Sequence, residues 1–283
     1  MHSGGVASYY DRLGRWNRTA RAFGFGGGHT TLTVHRALAD PSAGGRATFT
    51  RLHDLLIEHV PDGMPLRVLD AGCGLGGTML SLAEARAATC VGLTLSPSQA
   101  ERANDAAAQL GLGARVHAQV QSYDQPPAGP FDVIVAIESL AHSRNPHASV
   151  SALASVLAPG GTFIVVDDMP ESGARDTADL ATFKAGWQCP VLWSEPEYLA
   201  VFASLGVNVV TREDLTPECR PRTLARITQL SVLNRITRRV AGHGPLGAVM
   251  DSHMGGLALE RMIRRGQVKY RMLIARKPIL QVS

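Results

Sequence analysis

Several absences bound this 283-residue sequence before any motif is read. No run of about eighteen apolar residues occurs, which removes a membrane span from the reading. The opening "MHSGGVASYYDRLGRW" has no apolar core of the kind a secretory signal needs. Four cysteines (Cys73, Cys90, Cys189, Cys219) form neither a CxxC pair nor a zinc spacing, so incidental thiols in a reduced, cytoplasmic protein are expected. Aromatics are only 5% of the chain, and basic stretches are not interleaved with them, which argues against a nucleic-acid partner. Acids are scarce at one end. From Pro217 onward thirteen Lys and Arg face three acids, whereas the residues before it hold fifteen against twenty-one. That asymmetry reads as solvated helix faces, as a wall attracting an anionic substrate, or as a contact between like subunits in a homo-oligomer.

What is present is a long alternation of strand-like and helix-like segments. "RVLDAG", "ATCVGLTL", "ARVHAQVQ", "FDVIVAIES", "TFIVVDDM", "VNVVTREDLT" and "YRMLIARKP" read as seven strands. Gly76–Ala87, "SPSQAERANDAAAQLGL", "HASVSALASVLAPGG" and "EPEYLAVFASLG" read as helices, with Ser96 as N-cap and Pro97 in the first turn of the second. The expected fold is α/β, a doubly wound and mostly parallel seven-stranded Rossmann-like sheet. Residues 1–60, with helical stretches at Ser8–Arg21 and Ala47–His59, are expected to form an N-terminal lid or cap. Residues 61–283 form the main domain, with a helical insertion over about 217–268, before the last strand.

"DAGCGLGG" lies between the first strand and the first helix of that domain. Gly72, Gly74 and Gly76 allow a tight turn and close approach of a ligand at the carboxyl edge of the strand, where open α/β sheets bind. The spacing departs from the G-x-G-x-x-G dinucleotide fingerprint, which argues against NAD.

With "APGGTFIVVDDM", the pattern resembles the class I S-adenosylmethionine (SAM)-dependent methyltransferases over about residues 65–170. The resemblance implies that the Gly72–Gly76 loop faces the methionine part of SAM and that Asp70 orients the loop or the ammonium. Most such enzymes end the second strand with a ribose-binding acid, but "GLTLSPSQ" has threonine there. This form resembles cyclopropane fatty-acid synthases, mycolic-acid modifiers, and prenyl-diphosphate and sterol C-methyltransferases. Thr94 and the Gln99 amide can bond ribose hydroxyls without a charge. Leu95, Gln121, Ser122 and Ile137 complete the expected cofactor contacts.

Relatives in that group deliver a methyl to an alkene carbon, leaving a carbocation that must be stabilised and deprotonated. Glu138, in "AIESLAHSRNP", resembles the acid of the prenyl-diphosphate and sterol C-methyltransferases, and a carboxylate in a dry pocket can do both tasks. His142 is a second base, a diphosphate contact or a packed histidine; His29 and His35 are no stronger as site residues. Aromatic faces add cation–π stabilisation, and Tyr9, Tyr10, Trp16, Phe23, Trp187, Trp193 and Tyr198 are available for it. Arg220, Arg222, Arg226 and Arg239 are the insertion's candidates for a diphosphate, with Arg222 expected to bind substrate. No side-chain metal cluster is visible. Asp167 and Asp168 can hold Mg²⁺ only together with a substrate diphosphate. The expectation is C-methylation of an isoprenoid small molecule, either a free prenyl diphosphate or a prenylated natural product. The alternatives are O- or N-methylation of a small molecule, lipid cyclopropanation, and a non-catalytic SAM-binding subunit.

Overall fold

The structure is a computed structural model and describes residues 32–174, 177–241 and 245–279. The first two strands, β1 (Leu38–Asp40) and β2 (Arg46–Thr48), form a short antiparallel hairpin. Helix α1 (Thr50–His59) follows. The main sheet then begins with β3 (Leu66–Ala71), α2 (Gly77–Ala85), β4 (Ala88–Thr94), α3 (Pro97–Gln109) and β5 (Val116–Val120). It continues through β6 (Phe131–Ile137), α4 (Pro146–Ser155), β7 (Leu157–Pro170), α5 (Ala178–Trp187) and α6 (Glu195–Ser204). It closes with β8 (Asn208–Asp214), α7 (Leu224–Ala241), α8 (Pro245–Arg264) and β9 (Val268–Arg276).

The seven strands lie in the order β5-β4-β3-β6-β7-β9-β8. β5 through β7 pair in parallel, while β9 runs antiparallel between β7 and β8. The order reverses at β3, so the loops after β3 and β6 diverge and leave a crevice at the carboxyl edge.

Alternation along the central strands fills both faces of this sheet. Val133 and Val135 of β6, with Ile164 and Val166 of β7, join a core beneath α1, α2 and α3. Ile134, Ala136, Phe163 and Val165 point the other way, into a core with α4 and α6. A smaller apolar cluster ties α5 to α8. Local signals fix the helix starts. Ser96 accepts from the Gln99 N–H with Pro97 behind it, and Ser194 and Glu197 form a capping box.

The boundary expected at residue 60 is not a break in packing. Leu52, Leu55 and Leu56 of α1 are buried in the same core as Val68 and Met79. Helix α5 was absent from the expectation, and the hairpin β1–β2 was also missed. Residues 1–31 lie outside the described residues, and with them Tyr9, Tyr10, Trp16, Phe23 and His29.

Candidate active site

The strands' carboxyl ends open into a cavity of about 1060 Å³. Pockets for one drug-sized ligand run to about 1,000 Å³, so this one is large enough for a cofactor and a second molecule. One wall is the glycine loop. Gly72 and Gly74 have φ of 105° and 54°, conformations that L side chains rarely adopt. A Cβ on Gly72 would stand 2.4 Å from the Ser139 Cβ, and one on Gly74 would stand 3.0 Å from Val34. Gly76 does not line the cavity. It caps α2 at φ 85°, and its missing side chain makes room for Ala103 of α3.

Asp70 emerges beneath this loop, and burial pushes its carboxyl up to about 7. Its carboxylate has no hydrogen-bond partner among the described residues, so a cationic ligand group would relieve its desolvation. Ser139 Oγ, across from Gly72, is likewise buried without a partner. An acid and a hydroxyl in need of partners beside two side-chain-free turns fit the ammonium end of SAM.

Thr94, Leu95 and Gln99 line the cavity at the end of β4. The Thr94 hydroxyl donates to Gln99 Oε1 (2.7 Å) and accepts from the Ser96 N–H (3.2 Å). Thr94 therefore fixes the Gln99 side chain through its amide oxygen. Gln121, Ser122 and Ile137 lie on the same side. The Gln121 main chain is held by its N–H donating to the Thr94 carbonyl (3.0 Å).

Glu138 lines the cavity at the end of β6, next to the strand that carries the glycine loop. Its backbone is left-handed at φ 48°, uncommon for a residue with a side chain. Glu138 Oε1 accepts from the Arg36 main-chain N–H (2.9 Å) and from the Tyr270 hydroxyl (2.8 Å). Among the described residues Oε2 has no partner. The Arg36 guanidinium donates to both oxygens of Asp168 (2.9 and 2.8 Å) and lies 4.9 Å over the Tyr270 ring. Burial alone would lower the guanidinium's pKa, but Asp168 and Glu138 raise it above its ordinary value and keep it charged. Arg36 and Tyr270 were missed by sequence reasoning. Their partners lie 102 to 132 positions away, and no local pattern marks them.

His142 stands in the same cavity with Nδ1 3.3 Å from the Gln188 carbonyl, and burial lowers it, favouring the neutral ring. Trp187 lines the cavity too, its indole N–H donating to the Ser252 carbonyl (2.9 Å). Trp193 and Tyr198 do not line it. Tyr198 is buried in the α4–α6 core with its hydroxyl donating to Asp167 Oδ2 (3.0 Å), and Trp193 packs on its ring at 5.3 Å. Both belong to the core between the sheet and α6, and Asp167 stands between the Tyr198 hydroxyl and the cavity.

Of the four arginines expected in the insertion, only Arg222 lines the cavity, and it pairs with Glu260 at 3.1 Å. Arg220, Arg226 and Arg239 are exposed away from it. Asp167 and Asp168 do not make a cation site. Burial, then Asp168, pushes Asp167 up to about 8, and its two oxygens accept from the Asp168 N–H (2.9 Å) and the Tyr198 hydroxyl (3.0 Å), while both oxygens of Asp168 are committed to Arg36. With every oxygen already an acceptor, these residues do not fit Mg²⁺.

The sequence matches the methyltransferase domain over residues 33–212. Ajmaline N-methyltransferase of Rauvolfia serpentina is 26% identical, covering 96% of this chain and 97% of that protein. A probable chloroplastic tocopherol O-methyltransferase of Oryza sativa subsp. japonica is 32% identical over 77% of this chain, which spans 63% of that protein's length. Geranyl diphosphate methyltransferase, solved with GPP and sinefungin, shares the fold at a TM-score of 0.73 and 20% identity, covering 98% of this chain and 100% of that chain. The chain belongs to the SAM-dependent methyltransferases.

Proposed function

We propose that this enzyme transfers the SAM methyl to an alkene carbon of an uncharged isoprenoid, such as a prenylated natural product, with Glu138 as the base. The observation that carries this reading is the carboxylate of Glu138. One oxygen is held by Arg36 and Tyr270, and the other has no partner among the described residues at the cavity wall. Bound SAM supplies an electrophilic methyl on a sulfonium. A π bond that formed a carbon–carbon bond to that methyl, as the sulfur–methyl bond broke and released the neutral thioether, would leave a positive carbon one bond away. The fixed charge of Glu138 stabilises it, and Oε2 then takes the neighbouring proton. Phe183 and Trp187 offer π faces that stabilise a cation without trapping it.

The absence of charge on the acceptor follows from the lining. Asp70, Asp124, Glu138, Asp167, Asp168 and Glu260 line the cavity with Arg36, Arg102, Arg144 and Arg222. Two of those arginines are already paired to acids. A diphosphate needs several free cationic donors in place of its water.

The second reading is O- or N-methylation of a natural product. The neutral His142 ring beside Glu138 favours it, because a neutral imidazole can deprotonate a hydroxyl or ammonium. Methyl-labelled SAM incubated with prenylated phenols, neutral terpenoids, prenyl diphosphates and alkaloid amines, read by mass spectrometry, separates these. A new carbon-bound methyl on a neutral prenyl chain supports the first reading. Labelling confined to diphosphates, or to heteroatoms, rejects it.

A further inference from the structure

Helix α7 (Leu224–Ala241) contains four arginines and no acid. Its inner side is anchored: Ile227, Ser231 and Asn234 are buried, and the Asn234 amide donates to the Met250 carbonyl of α8 at 2.8 Å. Its outer side is unusual for a surface helix. Val232, Leu233 and Ile236 are 51%, 59% and 56% exposed and form one ridge at helical spacing. Arg235 and Arg239, one turn apart, flank the ridge on one side, and Arg226 is exposed about two turns nearer the start of the helix. Arg235 and Arg239 have no ion-pair partner among the described residues, whereas Arg238, turned toward α8, pairs with Asp251 at 2.7 Å.

We infer that this face of α7 docks on an anionic lipid surface. An aliphatic ridge beside arginines is the pattern of a helix lying in a membrane interface. The aliphatic side chains enter the headgroup–acyl boundary, and the guanidinium groups stay at the phosphates. The charge pattern disfavours a second copy of the chain. The helix has no acid, and an antiparallel self-contact through this face sets Arg235 and Arg239 against their own copies. It also disfavours a nucleic acid, because the centre of the face is aliphatic and offers no ring to stack on a base. Docking here places the membrane next to the substrate side of the molecule. Arg222, two residues before the helix, lines the cavity, and α8 separates α7 from it with Val249, Ser252 and His253 on its inner side. The inference stands on the helix surface and does not depend on which acceptor is methylated.

The test is co-sedimentation of the full chain with extruded vesicles of phosphatidylcholine alone and of phosphatidylcholine with 30% phosphatidylglycerol. Three cationic groups near an anionic surface should give at least a tenfold preference for the charged vesicles at about 100 mM salt, largely lost at about 500 mM. Arg235→Glu with Arg239→Glu should abolish the preference. Val232→Asp with Ile236→Asp should abolish binding while leaving S-adenosylhomocysteine affinity by calorimetry unchanged, which verifies folding. Absence of vesicle binding, equal binding to both compositions, or wild-type binding by these variants overturns the proposal. So does light scattering in which Val232→Asp lowers the mass of a protein that never bound vesicles, which would assign the ridge to a second copy.

Discussion

At Glu138 the chain accepts a backbone conformation that costs energy and then fixes it with neighbours. The left-handed φ of 48° is held by the Glu138 N–H donating to the Val166 carbonyl at 2.8 Å. The two bonds at Oε1 remove rotational freedom from the carboxylate, so Oε2 has a defined direction. Glu138→Gln keeps the shape and deletes the base, and turnover should fall by about 10²–10⁴. S-adenosylhomocysteine affinity should stay within about twofold, because Asp70, Gln99 and the glycine loop are untouched. Tyr270→Phe removes one of the two restraints and should lose less, about tenfold in turnover. If Tyr270→Phe lowered only the melting temperature, with turnover intact, Tyr270 would be a packing residue.

Among the elements, the segment 32–37 joins the two halves of the site. The Leu32 carbonyl accepts from the Gly77 N–H at 3.3 Å, Val34 covers Gly74, and Arg36 reaches Glu138. His35 anchors the segment to α1. Its Nδ1–H donates to the Arg36 carbonyl (2.9 Å), so as a neutral ring its Nε2 accepts from His53 Nε2–H at 3.1 Å. Burial, and then His35, depresses His53 to about 3. The unfolded imidazole titrates near 6.5 and binds more protons between those values, so stability is full above about pH 6.5 and falls as pH drops toward 3. At pH 5 the loss is about 2 kcal/mol, at about 1.4 kcal/mol per pH unit. His53→Gln should be less stable than wild type at pH 7.5 in urea unfolding, with the gap narrower by about that amount at pH 5. A gap that stays constant between the two pH values would show that His53 does not titrate on unfolding.

These elements also show where the sequence was legible. "DAGCGLGG" and "GLTLSPSQ" announced a turn and a helix start through glycine and an Ser-Pro cap, which are local signals, and the structure forms both there. Glu138 and His142 follow from the end of β6. Helix α5 was missed because apolar and polar residues alternate around it without a clear stripe. Arg36 and Tyr270 depend on pairing across more than a hundred residues. Tyr198 and Trp193 were misplaced because spacing does not reveal on which side of β7 a helix packs.

Across the whole molecule, charge is divided between two surfaces, and that division bears on the acceptor. The basic excess after Pro217 lies largely on the outside of α7 and in pairs such as Arg261 with Asp179. The cavity interior instead holds more acids than arginines, and Arg36, its most enclosed cation, is occupied by Asp168. Only Arg102 and Arg144 among the cavity's arginines have no acid partner among the described residues, fewer donors than a diphosphate needs in place of its water, and breaking the Arg36–Asp168 pair to add another is costly. Mg²⁺ would not rescue diphosphate binding, because all four oxygens of Asp167 and Asp168 already accept hydrogen bonds. Calorimetric titration with geranyl diphosphate, with and without MgCl₂ and with S-adenosylhomocysteine bound, should therefore give no saturable heat up to about 100 μM, where an affinity of about −5.5 kcal/mol would register. A neutral prenylated phenol should compete for the same volume without sensitivity to salt between about 50 and 500 mM. Micromolar, salt-dependent binding of geranyl diphosphate would show that an arginine now outside the cavity turns inward on binding, and Arg220→Ala, Arg226→Ala and Arg239→Ala would identify which one.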